Sequence, residues 1–226
     1  MPTVMITGAG RGLGLEFARQ YAADRWKVIA TCRDPDNAAD LQAITGVQVR
    51  QLDITDPAQI HALTRKLKRE AFDVLLHNAG IYGPRPAMLG GVEREPWLDV
   101  LNVNAIAPFQ VTEAFLDHVA RGKLKKIIAV TSRMGSMTDN TSGGSYIYRS
   151  SKAALNAVMK SLSVDLRPRG ISVAVLHPGW VRTEMGGPSA LISAEESVSG
   201  MRKVIADLTV ERTGGFFNYD GTEIGW

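Results

Sequence analysis

Tyr148 and Lys152 stand four residues apart in Tyr148-Arg149-Ser150-Ser151-Lys152, just ahead of a run that reads as a helix. In that run Ala153, Ala154, Leu155, Ala157, Val158, Met159, Leu162, Val164 and Leu166 fall at helical spacing, and Lys160 and Asp165 are left for the wet side. Residues four apart on a helix share a face, so a phenol and an ammonium would meet in one place. Such a pair makes a weak acid useful near neutral pH. Moving a tyrosine from about 10 to about 7 needs roughly 4 kcal/mol. One cation about 4 Å away at an effective dielectric near 20 supplies about that much. Alone the pair is a weak signal, because a lysine stem often simply lies along a tyrosine ring. Its weight comes from the elements that would position it.

The first of these is a strand, Val4-Met5-Ile6, followed by Thr7-Gly8-Ala9-Gly10-Arg11-Gly12-Leu13-Gly14 and then by Leu15, Phe17, Ala18, Tyr21 and Ala22 at helical spacing. Strand, glycine turn and helix is the setting in which glycines let backbone approach a pyrophosphate at a helix N-terminus. The spacing is G-x-x-x-G-x-G through Gly8, Gly12 and Gly14, with Leu13 where strict G-x-G-x-x-G needs its last glycine. A second strand, Lys27 to Thr31, ends at Cys32 and Arg33. An acid at this tip would hold a ribose 2′-OH, whereas arginine suits a 2′-phosphate. Arg33 and Arg11 therefore favour NADP(H), with Asp34 expected either to cap the next helix or to pair with Arg33.

Val47 to Leu52 reads as a third strand ending in Asp53-Ile54, followed by a helix through Leu67 with Asp56 as cap and Pro57 in its first position. Asp73 to Leu76 leads into His77-Asn78-Ala79-Gly80, and a glycine- and proline-rich loop with Pro84, Pro86 and Pro96 follows. Trp97 to Ala120 reads as one long helix containing Asn102-Val103-Asn104. Lys125 to Val130 is the fifth strand, ending at Thr131-Ser132; Ser136 to Ser145 is a flexible mouth before the Tyr148 helix. The sixth strand, Ile171 to Leu176, runs into His177-Pro178-Gly179-Trp180-Val181-Arg182-Thr183. Ser193 and Glu196 make a capping box for a last helix to Leu208, and Phe216-Phe217 lie in a short terminal strand. Alternation of this kind implies an α/β fold: one Rossmann-type domain over residues 1–226, a doubly wound parallel sheet with helices on both faces. Right-handed crossovers bring every loop named above to the carboxyl edge of the sheet.

Composition narrows the function. The 226 residues are 45% hydrophobic and 22% charged, with net charge +3 spread along the chain, so a nucleic-acid surface is not expected. The short Lys123–Lys126 cluster reads as a helix C-terminus complementing its dipole before the next strand. Cys32 is the only cysteine, and His61, His77, His118 and His177 never fall at ligand spacing, so neither a disulfide nor a metal site is expected. No apolar run reaches the length of a membrane span and no leader pattern opens the chain, which points to the cytoplasm.

In order, TGAGRGLG, Asp53, HNAG, Asn104, Ser132, Tyr148-x-x-x-Lys152 and HPGWVRT run through almost the whole chain. Together they resemble the short-chain dehydrogenase/reductase family in its single-domain form. YRSSKAALNAVMKSL, LHPGWVRTEMGG and GGFFNYDGTEIGW look most like its Sniffer-like carbonyl reductases and bacterial C-factor-like proteins. The resemblance implies an NADP(H)-dependent reductase of aldehyde and ketone carbonyls. Tyr148 would be its acid–base, Lys152 would lower the tyrosine's pKa and bind the nicotinamide ribose, Ser132 would hold the substrate oxygen and Asn104 would anchor a relay water. Gly8, Arg11, Gly12, Leu13 and Gly14 would line the pyrophosphate, Arg33 the 2′-phosphate, and Asp53 with Ile54 the adenine. Asn78, Ala79 and Gly80 would sit beside the cofactor, and Pro178, Gly179, Val181 and Thr183 beside the nicotinamide. His77 stands where the family usually has asparagine, and the interval from Ser132 to Tyr148 is longer than usual. Tyr146 is a decoy, having Ser150 four residues on.

Other readings stay open: a C-factor-like signalling protein that binds cofactor with little turnover, and sugar-nucleotide epimerase chemistry, which the glycine spacing opposes. Residues 82–89 and 184–192 would rim the pocket. The apolar faces of helices 97–120 and 148–166 suit a homodimer or tetramer.

Overall fold

The structure is a computed structural model and describes residues 1–85 and 87–226; Pro86 of the expected glycine- and proline-rich loop lies outside the described residues. Apolar β-formers between turn residues build β1 (Thr3–Ile6), β2 (Lys27–Cys32), β3 (Val47–Gln51), β4 (Val74–His77), β5 (Lys126–Val130), β6 (Ser172–His177) and β7 (Gly215–Asn218). The connecting helices are α1 (Gly12–Ala23), α2 (Ala39–Gln42), α3 (Pro57–Lys66), α4 (Arg94–Leu101), α5 (Ala107–Arg121), α6 (Tyr146–Leu166) and α7 (Ala194–Asp207). All seven strands are parallel in the order β3-β2-β1-β4-β5-β6-β7. The expected doubly wound α/β fold is therefore the one observed. The direction of winding reverses between β1 and β4, which is where such sheets open a crevice at their carboxyl ends.

Successive strand residues point to opposite faces. Met5, Ile29, Leu75, Ile127, Val173 and Val175 pack on one side with Phe115 and Leu155. Val4, Ile6, Val28, Val74, Leu76 and Ile128 pack on the other with Phe17 and Met201. Asp73 ties the sheet's lower edge together: its carboxylate accepts from the amides of Thr3 (2.8 Å), Lys123 (2.9 Å) and Leu124 (3.1 Å).

Two caps form as the residue types require. Asp56 accepts from the amides of Ala58 and Gln59, and Ser193 from that of Glu196. Three expectations need correction. The long helix is interrupted by a π-helical turn at Asn102–Ile106, one residue wider than an α-turn. Asp34 neither caps α2 nor pairs with Arg33; it accepts from the backbone and side-chain amides of Asn37 in a local turn. Lys126 does not sit at a C-terminus of its own helix. It is buried in β5 and donates to the carbonyls of Ile205 (2.7 Å) and Ala206 (2.9 Å), closing the end of α7 instead.

His77 is buried, and its Nε2 lies 2.8 Å from Thr112 Oγ1. Burial pushes its pKa down to about 3, and burial followed by the Arg133 charge pushes His177 down to about 4, both from 6.5. Below pH 6.5 the unfolded chain binds protons that the folded chain refuses. Stability is then complete above about pH 6.5 and falls as pH drops, by up to about 1.4 kcal/mol per unit for each histidine. Urea melts at pH 5 and pH 7 should show this loss, and His77→Asn should shrink it. An equal loss in wild type and variant would remove His77 from the account.

Candidate active site

The loop after β1 is knitted to the end of β4. Asn78 donates its backbone N–H to Thr7 Oγ1 (3.1 Å) and its side-chain amide to the carbonyls of Gly8 (2.8 Å) and Thr7 (3.2 Å). Gly8 has φ +67°, and a Cβ there would meet Ala79 Cα at 2.7 Å. A Cβ on Gly14 would run into the Gly8 carbonyl and the Asn78 amide. These glycines are required by close backbone approach, and the N-terminus of α1 opens onto the crevice they shape. Gly12 faces Thr183, and Leu13 packs partly buried against the core beneath.

Arg33 is exposed at the tip of β2. Asp53 accepts from the Thr55 amide (2.9 Å) and hydroxyl (2.7 Å). Burial raises its carboxyl pKa, but the Thr55 bonds and the Arg33 charge outweigh that and hold it below the usual range. Ile54 is buried beside it. Arg11 projects from the glycine loop and pairs with Glu184 on the far side of the crevice.

Tyr148, Lys152, Ser132 and Asn104 are all buried and converge at the carboxyl ends of β4 and β5. Lys152 Nζ donates to the Val130 carbonyl (3.1 Å) and lies 5.8 Å from the centre of the Tyr148 ring. The Ser132 hydroxyl accepts from the Met134 amide (3.1 Å) and faces the phenol. Asn104 sits in the π turn, accepting from the Ile81 amide (2.9 Å) and donating to the Ile81 carbonyl (2.8 Å) and to Ser151 Oγ (2.9 Å). Ser151 in turn donates to the Tyr148 carbonyl (2.8 Å), so Asn104 braces α6 against the β4 loop. Gly80 leaves room here: a Cβ on it would stand 3.1 Å from Asn104 Oδ1 and 3.4 Å from Lys152 Nζ.

The electrostatics differ from the expectation. Burial pushes Tyr148 up to about 12; the facing Ser132 hydroxyl opposes this, Tyr82 adds to it and the Arg85 charge opposes it. Burial also pulls Lys152 down to about 8. At 5.8 Å from the ring, and desolvated itself, Lys152 does not bring the phenol toward 7 in this geometry. The simple pairing arithmetic left out the cost of burying both groups.

Along the rim after β6, Pro178 accepts from the Ser197 hydroxyl (2.6 Å) and Gly179 turns at φ +82°. Val181 bridges to Ile192, and Thr183 accepts from the Gly186 amide (3.2 Å). Tyr146 is well exposed at the start of α6, as befits a decoy. Sequence reasoning missed the individual parts played by Tyr82, Arg85 and Glu184 in the rim. A hint lay only in their positions, in the loops that follow Gly80 and Thr183.

A parallel sheet in this order, a glycine loop at its switch point and a buried serine–tyrosine–lysine group define a nucleotide-dependent oxidoreductase fold. Residues 2–191 match the short chain dehydrogenase family, to which the chain belongs. It is similar to C-signal of Myxococcus xanthus, 49% identical over 68% of this chain and 92% of that protein. Among solved structures it is similar to the carbonyl reductase Sniffer of D. melanogaster, at TM-score 0.93 and 34% identity with both chains fully covered. It is equally similar in sequence, at 34% identity and TM-score 0.92, to an NADPH-bound carbonyl reductase from chicken fatty liver, with 100% of this chain and 99% of that one covered.

Proposed function

We propose that the protein is an NADPH-dependent reductase of aldehyde and ketone carbonyls, running in reverse as an alcohol dehydrogenase. The observation that carries this reading is the convergence of Ser132, Tyr148 and Lys152 at the mouth of the crevice shaped by Gly8 and Gly14. The residues present suit the cofactor: close-packed glycines at a helix N-terminus accept a pyrophosphate beside Arg11, which Glu184 holds, and exposed Arg33 offers a cation to a 2′-phosphate. The NADP-bound and carbonyl-reducing relatives support the same assignment.

When bound, the cofactor supplies the hydride. Ser132 donates a hydrogen bond to the substrate oxygen and Tyr148 Oη delivers the proton to it. Lys152 holds an ammonium near the phenol and reaches the ribose. Asn104 holds the π turn and, with it, a relay for the returning proton. Gly12, Leu13, Asn78, Ala79 and Gly80 line the dinucleotide, Asp53 and Ile54 the adenine, and Pro178, Gly179, Val181 and Thr183 the nicotinamide.

The test is NADPH oxidation across a panel of aldehydes and ketones. Turnover with none of them, alongside tight NADPH binding, would favour the second reading. That reading is a cofactor-binding signalling protein, and the likeness to C-signal motivates it. For the cofactor, Arg33→Ala should lower kcat/KM for NADPH about tenfold or more and leave NADH nearly unchanged, since an exposed charge-assisted contact is worth about 1.5 kcal/mol. A wild-type preference for NADH would refute the assignment. Exposed Ile106, Phe109 and Val164 on the outer faces of the π turn, α5 and α6 support a homodimer. No helix among the described residues is long and apolar enough to cross a membrane, and we place the protein in the cytoplasm.

A further inference from the structure

Tyr82 stands two residues beyond Gly80, and its ring stacks on that of Tyr148, with centroids 4.3 Å apart and planes 18° from parallel. The Arg85 guanidinium lies 3.7 Å from the centre of the same Tyr82 ring. Two groups this close to one centroid cannot share a face, so Tyr82 is the middle layer of a three-layer stack, Arg85–Tyr82–Tyr148. The stack is fixed at three points. Tyr82 Oη lies 3.2 Å from Ser145 Oγ, and Ser145 is a non-glycine residue at φ +47° immediately before α6. Left-handed backbone without glycine persists only where its surroundings hold it. Gly83 turns at φ +84°, and a Cβ there would collide with Val100, so this loop is pressed against α4. Arg85 also donates to the Met185 carbonyl (3.3 Å), joining the loop to the far rim of the mouth. Among the described residues no carboxylate lies within ion-pair distance of Arg85, although Arg11, Arg94 and Arg133, other arginines of the mouth and its rim, have one each.

We propose that Tyr82 and Arg85 are positioning residues for the reaction: Tyr82 clamps the Tyr148 ring, and Arg85 presents its charge to the phenol across the Tyr82 face. The proposal rests on the reductase reading and adds to it a cation that the Tyr-x-x-x-Lys spacing does not contain. The groups facing the phenol are Ser132 from the end of β5, Lys152 from its own helix, and Tyr82 and Arg85 from the loop after β4. Of the two cations, Arg85 is exposed and Lys152 is buried, so salt distinguishes them.

The experiment is the pH profile of kcat for alcohol oxidation by the full chain, at low salt and at about 1 M salt, where screening acts within roughly 3 Å. Oxidation needs the phenol deprotonated, so removing a nearby cation moves the midpoint up. Arg85→Ala should raise it by about half to one pH unit at low salt, from a charge roughly 8 Å away at an effective dielectric above 20. Below the midpoint, kcat then falls about threefold to tenfold with KM for the cofactor unchanged. High salt should shrink the shift, and Arg85→Lys should restore the wild-type midpoint. Tyr82→Leu should lower kcat with the same cofactor KM, and Tyr82→Phe, which keeps the ring, should recover most of it. Superimposed wild-type and Arg85→Ala profiles, with Tyr148→Phe inactive, would overturn this inference and leave the reductase reading standing. A shift that salt does not touch would also overturn it, since that marks a structural disturbance. Full turnover by Tyr148→Phe would overturn both.

Discussion

Tyr148→Phe is expected to lower kcat by about 10²- to 10⁴-fold, the range that a positioned proton donor contributes. In the proposed reaction the phenol is the group that gives up a proton near the end of β5 and regains it. Ser132 already accepts from the Met134 amide, and Lys152 is turned toward the Val130 carbonyl. The substitution removes one oxygen and keeps the ring, so the stack with Tyr82 and the Ser151 bond to the Tyr148 carbonyl both persist. NADPH affinity, read by fluorescence titration, should change less than threefold. The comparison of steady-state kcat with that titration is the decisive measurement. Turnover within a factor of three of wild type would remove Tyr148 from the mechanism and with it the reductase reading.

Gly14→Ala should cost about 2–6 kcal/mol of stability and abolish cofactor binding. Its new Cβ would occupy the space of the Gly8 carbonyl and come within 2.5 Å of Asn78 Nδ2. Overpacking of a tight site costs about 1–3 kcal/mol. Displacing the Asn78 amide from its carbonyl partners costs about 1–3 kcal/mol more. The same shift moves the amides at the start of α1 out of line with the crevice. Urea denaturation measures the first effect and NADPH titration the second. Gly91→Ala is the control, since a Cβ there meets only the Met88 carbonyl at 3.8 Å, an ordinary contact; it should stay within about 0.5 kcal/mol. A Gly14→Ala variant as stable as Gly91→Ala would mean that the loop can relax away from β4.

The sheet was legible because its strands are short apolar runs, and each is followed by residues that only turns and caps favour. The glycine spacing and Tyr148-x-x-x-Lys152 were legible for the same local reason. What escaped the sequence depends on distance along the chain. Glu184 meets Arg11 from 173 residues away, and Lys126 finds the end of α7 from 79 and 80. Neither partner leaves a periodic mark. The phenol's pKa escaped because spacing reports neighbours, whereas burial depends on everything packed around them. The π turn escaped because Asn102-Val103-Asn104-Ala105-Ile106 is as compatible with an α-helix as with a wider turn.

That wider turn has a consequence for what the helix can touch. In an unbroken α-helix Val100 and Val111, eleven residues apart, would lie within about 20° of one another. The inserted residue sets the two halves roughly a quarter-turn out of phase. Val111 therefore faces the sheet with Phe115 and Val119, while Val100 turns aside to meet Ile147 and Ala87. Trp97 swings with it and donates to the Ser150 hydroxyl at 2.8 Å. One rod thus serves two masters, gripping the sheet at one end and bracing the start of the tyrosine helix at the other.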